Sequence, residues 1–445
     1  MTTRMYHPSL RPGYIEVDES QVAAHTTYGW VALAPGAEPP ALPSGGGGLS
    51  AAELAASPEL KAAYGAGGLA VTNLAGLSRW ADARGNALVR PVTITVLGDS
   101  ISWGVGSDDT NAVTDKATFR ERAWPVQLRK RLNAAFGAVD GASWFGLASV
   151  FDAGATISGA SPSTSQGPFG TLSGGGYAIL NGNTITLPAA SSGLGKFTEI
   201  DVWHWGAASG INTPAAPLVT IDGTARTAPS GQAAGNLLKS TVTGLGDTTH
   251  DVVLGISAAD ATAPRLVSTF AVTVRRDSKG FVVNRIAVPG AETKHVGGAF
   301  SGFSGTQVTR NLDAAIMRGY TDLLIVALGT NDQGSQVPLA TYQANLQAII
   351  DAQVAAGGCV LLLGEPPRPV PTGALTEDAY RAVMKTLAQA GTHVAYTDAR
   401  DLYGDRSTLL SRGLIPVDGT VHPSAKGHGL LANAVTELLT LPRYA

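Results

Sequence analysis

The run Pro91-Val-Thr-Ile-Thr-Val-Leu97 passes directly into Gly98-Asp99-Ser100-Ile-Ser102-Trp-Gly104, and its reading decides the fold class. A short β-branched stretch that ends in glycine suits a buried parallel strand feeding a turn. Four later stretches read the same way: Val282–Val288, Asp322–Leu328, Val360–Leu363 and Val394–Thr397. Helical patterns lie between or after them, at Thr118–Phe136, Gln307–Arg318, Leu339–Ala356, Glu377–Ala390 and Ala425–Leu439. Strands alternating with helices predict a doubly wound α/β layer structure.

Three of these strand ends, and the loop before the last helix, carry residues able to do chemistry. Ser100 stands just past the first strand, where open α/β sheets bind ligands; alone, it reads equally as a turn serine. In Val288-Pro-Gly290-Ala-Glu-Thr293, Gly290 lets a backbone N–H approach a ligand closely, or simply makes a turn. In Leu328-Gly-Thr-Asn331-Asp332, the Asn331 amide can face the strand-end crevice or cap a helix. Asp418-Gly-Thr-Val-His422-Pro-Ser-Ala-Lys-Gly-His428 places an imidazole after a carboxylate, just ahead of the last helix.

Taken in this order, the four blocks resemble the SGNH (GDSL-like) hydrolase family, over about residues 90–140 and 280–440. The resemblance implies a three-layer α/β/α, flavodoxin-like core with a five-stranded parallel sheet, and carboxylic ester hydrolysis. It implies Ser100 as nucleophile, with the N–H groups of Ser100 and Gly290 and the Asn331 amide as oxyanion hole. It implies His422 as base, oriented by Asp418, and requires no metal or organic cofactor. A serine hydroxyl needs a base to become a competent nucleophile, and the oxyanion needs fixed donors. One departure stands out. The family spaces acid and base as Asp-x-x-His, whereas three residues separate Asp418 from His422 and Gly419 occupies the expected acid position. Either a longer turn still brings Asp418 to the imidazole, or a backbone carbonyl or another acid substitutes. His428 is the alternative base, although its helical position favours packing. Asp99 could act as a second catalytic acid but is read as shaping the Ser100 turn, and Trp103 as lining the pocket or packing beneath the loop.

Between Phe136 and Val282 the α/β alternation lapses. That stretch is rich in Gly, Ser and Thr, with period-two runs such as Ile200-Asp-Val-Trp-His-Trp205 and Pro217-Leu-Val-Thr-Ile221. It predicts an inserted β-sandwich-like domain at 145–280, within a catalytic domain of 89–144 and 281–445. Trp203 and Trp205 are read as sandwich core rather than a sugar-stacking platform. Upstream, 49–88 reads as short helical pieces, 37–48 as a Pro/Gly linker and 1–36 as a small module.

Composition narrows the setting. Charged residues make up 15% of the 445 and the net charge is −3, which gives phosphate-driven nucleic-acid binding little support. The single cysteine, Cys359, excludes internal disulfides and multi-Cys zinc sites. The N-terminus lacks the apolar segment of a signal peptide, and no stretch is long and apolar enough for a membrane span. The run His7-Pro-Ser-Leu10, Glu16-Val-Asp-Glu19, His25 and Gly29-Trp30 looks like short modules on tailed-bacteriophage structural proteins. The expectation is therefore an extracellular or virion-associated esterase. It would remove acyl groups, acetyl foremost, from host polysaccharide, and residues 1–36 would engage other virion proteins. The alternatives are an adhesin using the fold only to bind glycan, and a lipase-like esterase acting on host lipids. Dependence on His422 predicts that activity falls below the ordinary imidazole value of about 6.5.

Overall fold

Residues of the Pro91–Gly98 strand alternate between two apolar layers: Ile94 and Val96 pack on one side of the sheet, Leu97 on the other. The computed structural model describes 2–6, 15–18, 31–32, 69–110, 121–138, 143–146, 156–158, 161–163, 176–180, 183–206, 213–214, 217–226, 237–256, 265–277, 279–298, 305–368, 373–404, 406–416 and 420–441. Its central sheet contains β1 (Val71–Thr72), β2 (Pro91–Gly98), β3 (Gly280–Ala287), β4 (Leu323–Ala327), β5 (Cys359–Gly364) and β6 (Val394–Asp398). The spatial order is β3-β2-β4-β5-β6-β1. Five strands run parallel, and the short edge strand β1 is antiparallel to β6.

That edge strand is one correction to the sequence reading, which placed residues 70–72 in a helical stretch. The β-branched pair Val71-Thr72 instead pairs with Tyr396 and Thr397. Thr397 Oγ1 donates to the Ala70 carbonyl at 2.8 Å, and the Ala70 N–H donates to Asp401 at 3.1 Å. Satisfying the backbone at a sheet edge overrides weak helix propensity. Among the described residues of that stretch, the helical reading holds at Ser78–Arg84 and the preceding 3-10 turn Leu74–Leu77; residues 49–68 lie outside the described residues.

Every residue of β4 and β5 is buried, as expected of parallel strands covered on both faces. One face meets α1 (Ser78–Arg84), α2 (Trp124–Ala135) and α6 (Ala425–Thr440), through Trp80, Trp124, Leu128, Leu431 and Val435. The other meets α3 (Gly305–Ile316), α4 (Leu339–Ala355) and α5 (Glu377–Ala390), through Ala314, Tyr342, Leu346, Tyr380 and Met384. Along β5 the side chains alternate, Leu361 and Leu363 to the first layer, Val360 and Leu362 to the second. The result is a three-layer α/β/α core. Cys359 is fully buried, and burial pushes its thiol up to about 12, so it packs rather than reacts.

Among the described residues, the chain between α2 and β3 forms two larger sheets and a two-stranded ribbon of Lys196–Phe197 with Thr248–Thr249. One orders Thr224–Arg226, Pro217–Ile221, Val252–Ile256, Thr184–Leu187 and Thr156–Ser158; the other centres on Glu199–Gly206 and Arg265–Arg275. Ile185, Leu187, Val219 and Leu254 face Val202, Val272 and Val274 in a shared apolar layer. Trp203 does not join that layer, contrary to its reading as sandwich core. The pairing register shifts between Trp203 and His204. Trp203 turns instead to the α/β unit, edge-on to Tyr320 with centroids 5.4 Å apart, its Nε1 donating to Thr273 at 3.0 Å. Trp205's side chain lies outside the described residues. At the N-terminus, Thr2–Tyr6 pairs with Ile15–Asp18 and with Val31–Ala32.

Candidate active site

Chain order and sheet order diverge around β2: β3 lies on one side of it and β4 on the other. Such a switch point opens a crevice at the carboxyl ends of the strands. Ser100 follows β2, Gly290 follows β3 and Asn331 follows β4, so the topology brings three distant loops to one place.

Ser100 opens a single helical turn, Ser100–Trp103, capped by Asp99, whose Oδ1 accepts the Ile101 N–H at 2.8 Å. Gly98 is needed there: a Cβ would meet Ser102 Cβ at 2.4 Å. Trp103 is buried with Val105 and Ala287 beneath the loop, its carbonyl accepting from Arg285 at 2.8 Å. It packs rather than lines. His422 completes the contact, with Nε2 2.8 Å from Ser100 Oγ. Burial holds the imidazole down at about 4, so the ring is neutral near pH 7 and Nε2 can accept a hydrogen bond from the Ser100 hydroxyl. Nδ1 then carries the hydrogen and faces Thr420 Oγ1 at 3.1 Å, which also accepts the His422 N–H at 3.0 Å. That is the tautomer a base at Nε2 needs. Asp418 lies outside the described residues.

Gly290 occupies the third position of a Val288-Pro-Gly290-Ala291 turn closed by Ala291 N–H to Val288 O at 3.0 Å. Its φ of 80° explains the glycine. Asn331 lies in the turn Thr330–Gly334; its Nδ2 donates to Asp99 Oδ2 at 2.8 Å and to the Ala291 carbonyl at 3.1 Å. One amide therefore links the Ser100 turn to the Gly290 turn.

Two supporting acids escaped the sequence reading. Asp332 is buried and accepts from the Thr293 hydroxyl at 2.6 Å and the Thr293 N–H at 3.1 Å. It clamps the segment after Gly290 onto the Asn331 turn, and burial pushes it up to about 7. Glu365, directly after β5, is buried beside Asp99. Asp332 adjoins a flagged residue, but Glu365 in Gly364-Glu365-Pro366-Pro367 has no local pattern to mark it. His428 packs, as its helical position suggested: fully buried, it meets the Val105 carbonyl through Nε2 at 3.1 Å and accepts the Trp124 N–H at Nδ1 at 3.3 Å.

Residues 240–430 match the GDSL-like Lipase/Acylhydrolase family, a span that includes Gly290, Asn331 and His422 and begins after Ser100. Among solved structures, a peptidoglycan O-acetylesterase is similar at 16% identity and a TM-score of 0.56, over 82% of this chain and 97% of that one. That likeness shows the fold. An active-site mutant of a family two carbohydrate esterase from Clostridium thermocellum aligns at 14% identity and a TM-score of 0.25, over 64% of this chain and 97% of that one. A search of curated proteins finds no match. No helix among the described residues is long and apolar enough to cross a membrane.

Proposed function

We propose that this chain is a carboxylic ester hydrolase similar to the GDSL-like lipase/acylhydrolase family, and that it removes short acyl groups, acetyl foremost, from polysaccharide with Ser100 as nucleophile. The observation that carries this reading is the 2.8 Å contact between His422 Nε2 and Ser100 Oγ at the strand-end crevice. Ser100 Oγ attacks the acyl carbonyl carbon as His422 Nε2 takes its proton. The N–H groups of Ser100 and Gly290 and the Asn331 amide receive the oxyanion, each such donor being worth about 10²–10³ in rate. Collapse expels the sugar oxygen, which takes the proton from His422 and leaves an acyl-serine. Water, deprotonated by His422, then releases the carboxylic acid and restores Ser100. Asp418 is assigned the orientation of His422 and stabilisation of the imidazolium.

A polysaccharide substrate accords with the β-rich unit at 145–280 set into the catalytic unit of 89–144 and 281–445. The fold-level neighbour that acts on peptidoglycan O-acetyl groups points the same way. The N-terminal run from His7 to Trp30 supports attachment to a virion and a host-surface glycan as target. The test is acetate release from O-acetylated bacterial glycans by wild-type protein and by Ser100→Ala. Release that vanishes in the variant supports the reading, and absence of release from every glycan refutes it.

A further inference from the structure

Behind Ser100 two carboxyl groups meet without solvent. Asp99 is wholly buried, and both its oxygens are occupied: Oδ1 accepts the Ile101 N–H and Oδ2 the Asn331 amide, each at 2.8 Å. Glu365 is 5% exposed and its Oε2 accepts the Thr330 N–H at 3.3 Å. Its Oε1 is sealed from solvent and meets no donor among the described residues. The Glu365 carboxyl is within hydrogen-bonding reach of Asp99.

The surrounding ionisable groups do not supply a donor to Oε1. Tyr342 donates to the Leu328 carbonyl at 3.1 Å and Tyr380 to the Val337 carbonyl. Arg381 reaches Asp398 and the Glu365 main-chain carbonyl, each at 2.6 Å. Arg368 donates to the Thr330 carbonyl, and Glu377 accepts the Arg368 N–H at 2.6 Å. Two carboxyl groups in hydrogen-bond contact must hold a proton between them, because two buried like charges at that range repel strongly. Asp99, with two good donors, is the better-stabilised anion. Glu365, with one long N–H contact, is the acid.

We propose that Glu365 is a positioning residue of this site: as the neutral acid it donates to Asp99, and through Asp99 it fixes the Ser100 turn and the Asn331 amide. The inference rests on the roles given above to Ser100 and Asn331. Burial, reinforced by the adjacent Asp99, holds Glu365 well above the ordinary carboxyl range, consistent with a retained proton. A buried acid kept neutral so that it can donate is a known device of enzyme sites.

Glutamine fits this position with its amide N–H toward Asp99 and its carbonyl under the Thr330 N–H. Methionine keeps the length and removes the donor. The experiment measures the rate of Ser100 labelling by a fluorophosphonate across pH for wild type, Glu365→Gln and Glu365→Met, beside acetate release by wild type. Near pH 7 the Gln protein should label within about threefold of wild type and the Met protein at least about tenfold more slowly, part of the worth of an oxyanion donor. Wild type should also slow at alkaline pH as the shared proton is lost, and Glu365→Gln should not. A Met protein as fast as wild type, a Gln protein as slow as Met, or an alkaline fall retained in Gln overturns the proposal. Should Glu365→Met not fold, the rate and alkaline limb of Glu365→Gln decide. A wild type that neither labels nor releases acetate refutes the esterase mechanism and this proposal with it. Normal wild-type labelling that ignores Glu365 refutes this proposal alone.

Discussion

Gly106 backs directly onto the His422 loop: a Cβ there would stand 2.2 Å from the Pro423 carbonyl oxygen and 3.1 Å from His422 Cβ. Its φ of 90° is also a conformation that L side chains rarely adopt. The loop that follows the Ser100 turn is thus the seat of His422. Gly106→Ala should push the His422 loop away and lengthen the contact to Ser100. Misplacement by about 1 Å costs on the order of 10²-fold in rate, so ester hydrolysis should fall by about that factor, with stability lowered by about 1–3 kcal/mol. Steady-state kinetics with a thermal melt would check both, and an unchanged rate would show that the loop tolerates displacement.

Burial holds the His422 imidazole down at about 4, below its ordinary 6.5. A general base acts in its neutral form, so activity is present above the folded pKa and is lost as pH falls through it. The acid limb should therefore lie well below pH 6.5, lower than the sequence alone suggests. A pH profile of kcat/KM on a short acyl ester tests this. A limb at or above 6.5 would mean that a carboxylate partner outweighs burial. A profile flat down to pH 3 would remove His422 from the role of base.

The parallel strands were legible because burial on both faces leaves uninterrupted apolar runs; Leu323–Ala327 and Cys359–Gly364 could hardly be anything else. The places of Ser100, Gly290 and Asn331 just past three strands were legible because turn chemistry marks them. What escaped depended on long-range pairing. The Val71–Thr72 strand exists only because Tyr396 and Thr397 lie alongside. Trp203 faces the α/β unit beside a register shift that period-two alternation cannot reveal. Glu365 matters through Asp99, 266 positions earlier in the chain, and carries no local signature.

Asn331 holds both its amide hydrogens in hydrogen bonds, to Asp99 Oδ2 and the Ala291 carbonyl. An oxyanion would share the hydrogen on the weaker, 3.1 Å side. Asn331→Ala should lower kcat by about 10²–10³ with little change in KM, the signature of a donor felt mainly in the transition state. Asn331→Asp should be worse still, since it sets another carboxyl against buried Asp99. Unaltered kcat in the alanine variant would exclude Asn331 from the oxyanion hole.

The residue that orients His422 has two candidates of different chemistry. Thr420 Oγ1, 3.1 Å from Nδ1, can hold the tautomer but cannot neutralise an imidazolium. Asp418 can do both, provided the extra residue in the turn still lets it reach. The distinction is electrostatic, so it should appear in kcat rather than in folding. If Asp418 is the acid, Asp418→Asn should lower kcat by up to about 10⁴, as when a triad carboxylate is neutralised and the imidazole held in the wrong tautomer. Thr420→Val would then cost about tenfold or less, because removing one neutral hydrogen bond is worth about 1 kcal/mol. The reverse ranking would assign orientation to Thr420. It would mean that the imidazolium forms here without an adjacent carboxylate, and that Gly419 marks a true loss of the family's usual acid position.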